Sequence, residues 1–273
     1  LGALTLSDVG TVNGAITASS AGALTVTDVA SGTNGNIVLS TSSGDITGLA
    51  TVNAGSGNVT LNSAGAIVDD GSSGTVITGG VLTADAAGGI TIDSTVTSAN
   101  ISTSAAGAVD LDETDAITLT DVDTNDGSIT VDAGGLITAT DVVASGGSGD
   151  SVTLSTTTGG AVATLVAGAD AVSITANAGD ITIGSVTATA GTLGVTATAG
   201  SINDAADDNT ADFTAGGLIT LTAQDEIGVL GSGSDLDLEF AAGSSVNVST
   251  TGTGAIDLDG LGALTLNDVD TVN

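Results

Sequence analysis

Apolar and hydroxylated residues alternate along this chain in short runs. In Leu4-Thr5-Leu6-Ser7 the aliphatic side chains fall on one face and the hydroxyls on the other. Leu24-Thr25-Val26-Thr27, Ile117-Thr118-Leu119-Thr120 and Ile181-Thr182-Ile183 repeat the pattern. Period-two alternation rich in β-branched residues predicts strands with one buried face. Gly, Asn, Asp and Ser separate the runs and predict turns, because they tolerate positive φ or hydrogen-bond their own backbone. No stretch carries an apolar stripe of helical period, so no helix longer than about one turn is expected.

The runs recur. Five octets share Thr at the fourth position and Asp-Val at the end, starting at Gly2, Gly22, Asp115, Gly135 and Gly262. The interval from Gly2 to Gly22 is the same as that from Asp115 to Gly135. The openings Gly14-Ala-Ile-Thr, Gly35-Asn-Ile-Val and Gly57-Asn-Val-Thr follow at closely similar intervals. A longer recurrence encloses these. Residues 261–273 repeat residues 1–13 except at Ser7/Asn267 and Gly10/Asp270. Residues 1–260 therefore read as one long repeat and 261–273 as the start of the next, within a single continuous solenoid over 1–273. On this reading Leu264 and Leu266 face the core as Leu4 and Leu6 do, and Asp268 takes the turn position of Asp8.

Strands returning every 20–22 residues or so predict an all-β fold, a parallel β-helix or β-solenoid with about that many residues per coil. Each coil stacks on the one below at ~4.8 Å, and about 12 coils would fill the long repeat. A row of β-sandwich domains is the rival architecture, but it calls for core Trp or Tyr. The chain has 273 residues with 42 Gly, no Trp, no Tyr, no Pro and two Phe. Small side chains suit the thin interior of a narrow coil. Phe213 and Phe240 are then expected to fill the cores of wider coils.

Charge narrows the function. There are 32 acidic residues and no Lys, Arg or His, a formal net charge of −32. Nucleic acid as a partner is excluded, since phosphate binding needs cationic side chains. Anionic membrane surfaces are excluded for the same reason. No apolar run reaches the roughly 20 residues of a transmembrane helix, and two Phe cannot supply the aromatic girdles of a membrane barrel. Without Cys or His, zinc, haem and iron–sulfur sites lose their usual ligands. Calcium, which takes oxygen ligands, is the remaining cofactor expectation. The chain shows no signal peptide and reads as an internal segment of something longer.

The units Gly2-Ala-Leu-Thr-Leu-Ser-Asp-Val, Gly35-Asn-Ile-Val-Leu-Ser and Gly44-Asp-Ile-Thr resemble the repeats of filamentous haemagglutinin-type exoproteins and giant bacterial adhesins, as do Gly57-Asn-Val-Thr-Leu-Asn and Gly89-Ile-Thr-Ile-Asp-Ser. The resemblance covers nearly the whole chain. It implies a right-handed parallel β-helix in a secreted, surface-attached or matrix protein of a bacterium, with adhesion or scaffolding as its role.

Candidate chemistry is carried by carboxylates. Asp-x-Asp places two acids on one face of a strand at Asp110/Asp112, Asp121/Asp123, Asp235/Asp237, Asp257/Asp259 and Asp268/Asp270. Calcium ligation and a solvated outer face are the two readings. Asp121, Asp123, Asn125 and Asp126, followed by Gly127, come nearest to a calcium loop, with the Gly one residue late and Asp132 in place of the bidentate Glu. The octet acids Asp8 and Asp28 are expected to stack in adjacent turns, satisfied by backbone N–H groups or by cations. No enzyme is expected. A solenoid lyase needs a basic side chain and a serine triad needs His. The adjacent pairs Asp69-Asp70 and Asp207-Asp208 point to opposite faces of a strand.

What remains is structural. The expected role is a repeat segment of an extracellular bacterial filament or matrix fibre, extended by end-to-end stacking of copies of itself. Its alternative is the stalk of a surface adhesin whose tip lies elsewhere. Uniform negative charge keeps neighbouring fibres apart unless divalent cations bridge them.

Overall fold

The computed structural model describes residues 2–206, 208, 210–228, 235–240, 244–261, 263 and 265–272. Among them the regular elements are all strands. The strands run parallel and stack in a solenoid of about 12 turns. The chain forms two compact units, Leu1–Val131 and Asp132–Asn273.

In the first unit each early coil contributes two short strands and one longer one. The first coil has Leu4–Leu6, Val9–Gly10 and Ile16–Ser20. The second has Leu24–Val26, Val29–Ala30 and Ile37–Thr41. Three columns of aliphatic side chains result. Leu4, Leu24, Ile46, Ile67 and Ile90 stand in one. Val9, Val29, Val52 and Ile77 form the second, and Ile16, Ile37, Val59 and Leu82 the third. Every coil must place an aliphatic residue at the same angular position to keep a column dry. The strands bury alternate residues for that reason, as Ile37, Leu39 and Thr41 do on Ile37–Thr41.

The second unit uses a long-short-short order. Val152–Thr156, Ala161–Ala163 and Val166–Gly168 make one coil. Its columns are Val152-Val172-Leu193-Ile219-Val246, Ile137-Ala161-Ile181-Ile202 and Val142-Val166-Val186-Phe213-Leu238. Phe213 is completely buried. Val166 stands opposite Val186, and Val186 opposite Phe213, so the coil that leads to Phe213 is the longer of the two. The added residues Ala205, Ala206, Asp208 and Thr210 are exposed, so the extra length lies outside the core while the ring stays in its column. The side chain of Phe240 lies outside the described residues.

Buried hydroxyls close the corners. The last inward residue of a strand is often Ser or Thr, and it donates to a carbonyl just beyond the strand's end. Thr41 Oγ1 reaches the Gly44 carbonyl at 2.7 Å, and Ser63 Oγ reaches that of Ala66 at 2.9 Å. Ser20, Thr156 and Thr250 make the same kind of bond to Ala23, Gly159 and Gly254. The carbonyls of Ala66 and Ala23 also accept the ladder N–H groups of Ile46 and Leu4, so there the hydroxyl adds a second donor at the corner. Glycines stack just before the strands that follow. A Cβ on Gly57 would lie 2.6 Å from the carbonyl oxygen of Gly35, so only Gly lets these corners approach at sheet spacing.

The two copies of the terminal segment do not share a conformation. Leu4–Leu6 is a three-residue strand with Asp8 in the bend after it. In the second copy Leu266–Asp270 is a five-residue strand that contains Asp268. Leu266 stands opposite the buried Val246, and it is 53% exposed against 8% for Leu6. Asp268 does not take a turn position. The reason lies in the partner strand. Leu4–Leu6 pairs with the short Leu24–Val26, whereas Leu266–Asp270 pairs with the longer Val246–Thr250, through a register shift at Val246/Asn247. Leu264 lies outside the described residues.

Candidate functional site

Asp121, Asp123 and Asn125 project outward from the strand Ile117–Asp126, alternating with buried Val122 and Thr124. Asp126 ends that strand and is also exposed. Outward neighbours on an extended strand stand about 6.6 Å apart along it. The segment is therefore an extended strand that carries these residues on its outer face. Asn100 Nδ2 donates to Asp121 Oδ2 at 3.4 Å across the ladder. Asp132 likewise points outward, from Ile129–Ala133. Asp110 and Asp112 share the exposed face of Val109–Glu113.

Many acids serve as turn caps. Asp69 Oδ1 accepts the Gly71 N–H and Asp70 Oδ1 that of Ser72, both at 2.9 Å. The hydrogen bonds from Ser72 hold the Asp70 carboxyl below its usual range. Asp69 is nearly buried while Asp70 is exposed, so the two do point apart. Asp207 lies outside the described residues. Asp45 and Asp180 cap across coils, accepting the N–H groups of Ala66 and Ser201 at 2.8 Å. Asp8 and Asp28 fall in equivalent turns of adjacent coils, flanked by Leu6 opposite Val26 and Val9 opposite Val29.

Glu113 is among the buried acids. It ends the strand Val109–Glu113 at an inward position and is 4% exposed. Its carboxylate accepts the Ser94 hydroxyl at 2.6 Å and the Val96 N–H at 3.1 Å. Burial pushes its pKa up, and these donors pull against it. Nearby, Asp93 is also raised, by burial first and then by Asp69, Asp112 and Asp110. Asp93, Asp112 and Glu113 line an open cleft of about 160 Å³ with Ser73, Thr75 and Thr114.

The densest acidic group belongs to the second unit. Asp237 stands opposite Asp259 on adjacent parallel strands. Asp235, Asp237 and Asp259 each offer a carboxylate oxygen within 4.8 Å of the other two. Among the described residues this is the convergent acidic triplet; the Asp121 set is not brought together in this way. Asp212 locks onto the same strand. The Asp237 N–H donates to Asp212 Oδ2 at 2.8 Å, and the Asp212 N–H donates to the Asp237 carbonyl at 2.9 Å. Asp212 is almost fully buried, and burial with Asp204 and Asp237 close by pushes its carboxyl up to about 8. Asp-x-Asp spacing singled out Asp235, Asp237 and Asp259. It gave no sign of Asp212 or Glu113, which carry no such motif.

These features define a β-solenoid repeat protein with an acidic exterior and a few acids drawn inward. No protein-family model, curated protein or solved structure matches the chain.

Proposed function

We propose that the chain is a structural segment of an extracellular bacterial filament or matrix fibre, lengthened by stacking further β-solenoid coils from copies of itself. One observation carries this reading. The strand Leu266–Asp270 pairs with Val246–Thr250, and it leaves Leu266, Val269 and Val272 about half exposed. A further coil laid on that strand would bury these side chains and complete their backbone hydrogen bonds. The recurrence of residues 1–13 at 261–273 supplies a sequence suited to continuing the stack. Stacking in the register of the first copy requires Asp268 to move from the strand into a bend.

Composition supports an external setting. A chain without Lys or Arg offers trypsin no site, and one without Met or Cys lacks the easily oxidised side chains. The likeness of its repeats to filamentous haemagglutinin-type exoproteins favours a second reading, the stalk of a surface adhesin. Electron microscopy of two long repeats joined in tandem tests both. A uniform thread twice the length of the single repeat supports the filament. Two separate bodies on a tether would overturn it, and a rod with a globular head in the native material would favour the stalk.

A further inference from the structure

Asp237 carries an unbalanced charge. It is 4% exposed, and its Oδ1 is buried without a hydrogen-bond partner among the described residues. Two further carboxylates, those of Asp235 and Asp259, converge on it. No cationic side chain exists anywhere in the sequence to offset them. An ionised oxygen buried without a partner is costly, and like charges at this separation add to the cost. Compensation must come from solution.

We propose that Asp235, Asp237 and Asp259 hold a divalent cation, calcium by its coordination chemistry, between two stacked coils of the second unit. Calcium binds oxygen at about 2.3–2.6 Å, so two oxygens on opposite sides of the ion lie up to about 5 Å apart. The three oxygens, all within 4.8 Å of one another, fit within that span. Calcium takes six to eight oxygens in flexible geometry, and magnesium demands a near-ideal octahedron with ligands at about 2.0–2.1 Å. Three carboxylates spread over two strands suit the larger, more tolerant ion. Asp259 is exposed and Asp235 half-buried, which opens the triplet to water for the remaining ligand positions. Asp212 is a positioning residue. Its carboxylate holds the Asp237 backbone and thereby fixes the side chain's height in the stack. Burial, then Asp235 and Asp259, with Asp204 and Asp208 adding, raise the Asp237 carboxyl, and a bound cation would reverse that pressure. The inference does not depend on filament formation.

The test uses the full chain stripped with a chelator. Calcium is titrated in by calorimetry, and melting is compared in calcium, magnesium and sodium chlorides at matched ionic strength. Wild type is expected to bind calcium saturably and to melt higher in calcium than in either other salt. Asp259→Asn, a change at an exposed position, should lose one calcium equivalent per chain and that extra thermal gain. Asp237→Asn should lose both and, in chelator, melt no lower than wild type, since it removes a buried charge. Asp121→Asn with Asp123→Asn should leave the calcium response intact. Equal calcium binding by wild type and Asp259→Asn would overturn the site. So would equal melting in all three salts, which would mean that Asp237 is balanced by a proton instead.

Discussion

Ser94 donates its hydroxyl to Glu113 across two stacked strands, with 2.6 Å between Oγ and Oε2 and both side chains buried. The two residues are opposite one another in the ladder. A carboxylate thus occupies a place where neighbouring strands put aliphatic or hydroxyl groups. The Val96 N–H is held by the same carboxylate, so the corner depends on Glu113 for its backbone partner.

Glu113 should make stability rise on mild acidification. Its folded pKa lies above the reference 4.5, with burial the leading cause. The folded state therefore binds this proton at a higher pH than the unfolded chain. Stability climbs as pH falls through the folded value towards the unfolded one, and levels off below it. Wild type should melt higher near pH 5 than near pH 7, and Glu113→Gln should show a flatter profile over that window. Parallel profiles for the two proteins would remove Glu113 from the explanation, since the remaining acids are common to both.

Thr41→Val should cost about 1–2 kcal/mol, because it strips the Gly44 carbonyl and the Ala64 N–H of the hydroxyl they share. Thr41→Ser should retain most of the stability. Thr91→Val, at an exposed position on the same kind of strand, should change it by less than about 0.5 kcal/mol. Chemical denaturation followed by far-ultraviolet circular dichroism compares the three. Equal losses at Thr41 and Thr91 would show that the corner hydroxyl adds nothing.

Gly32 and Gly71 separate backbone conformation from stacking. Both have positive φ, +74° and +72°. A Cβ on Gly32 would collide with the carbonyl of Val12 in the neighbouring coil, whereas one on Gly71 meets nothing within 4 Å. Gly71→Ala should cost only the left-handed conformational penalty, about 1–2 kcal/mol. Gly32→Ala should cost clearly more, because backbone from the next coil must move. Similar melting temperatures for the two variants would argue against close coil contact at that corner.

Phe213→Ala should be the most damaging single truncation in its coil, at about 3–5 kcal/mol. The ring is fully buried between Val186 and Leu238. Phe213→Leu, closer in volume, should recover much of that. A loss below about 1 kcal/mol for the alanine variant would mean that the coil collapses around the gap.

The alternation in Leu24-Thr25-Val26 and Ile181-Thr182-Ile183 makes the strands and their inward faces legible, because side chains alternate within a strand whatever lies beside it. The spacing of Gly14, Gly35 and Gly57 reveals the coil length in the same way, since stacked turns need a small residue at each step. Phe213 reads as a core residue on its apolar size alone, and it is fully buried. Which acids meet is decided only in three dimensions. Asp237 and Asp259 look like members of two ordinary Asp-x-Asp pairs, and so do Asp121 and Asp123. Coil length varies, from a short step between Ser94 and Glu113 to a long one between Val186 and Phe213, so a fixed spacing in the sequence does not say which residues stand opposite one another. The second copy of the terminal segment shows the same limit. Its residues are nearly those of the first, yet pairing with a longer strand draws Asp268 out of the turn that Asp8 occupies. Local sequence sets the strand and its apolar face because those depend on the chain's own backbone geometry. The partners of a side chain in a solenoid come from the coils above and below, and only the folded register says which residues those are.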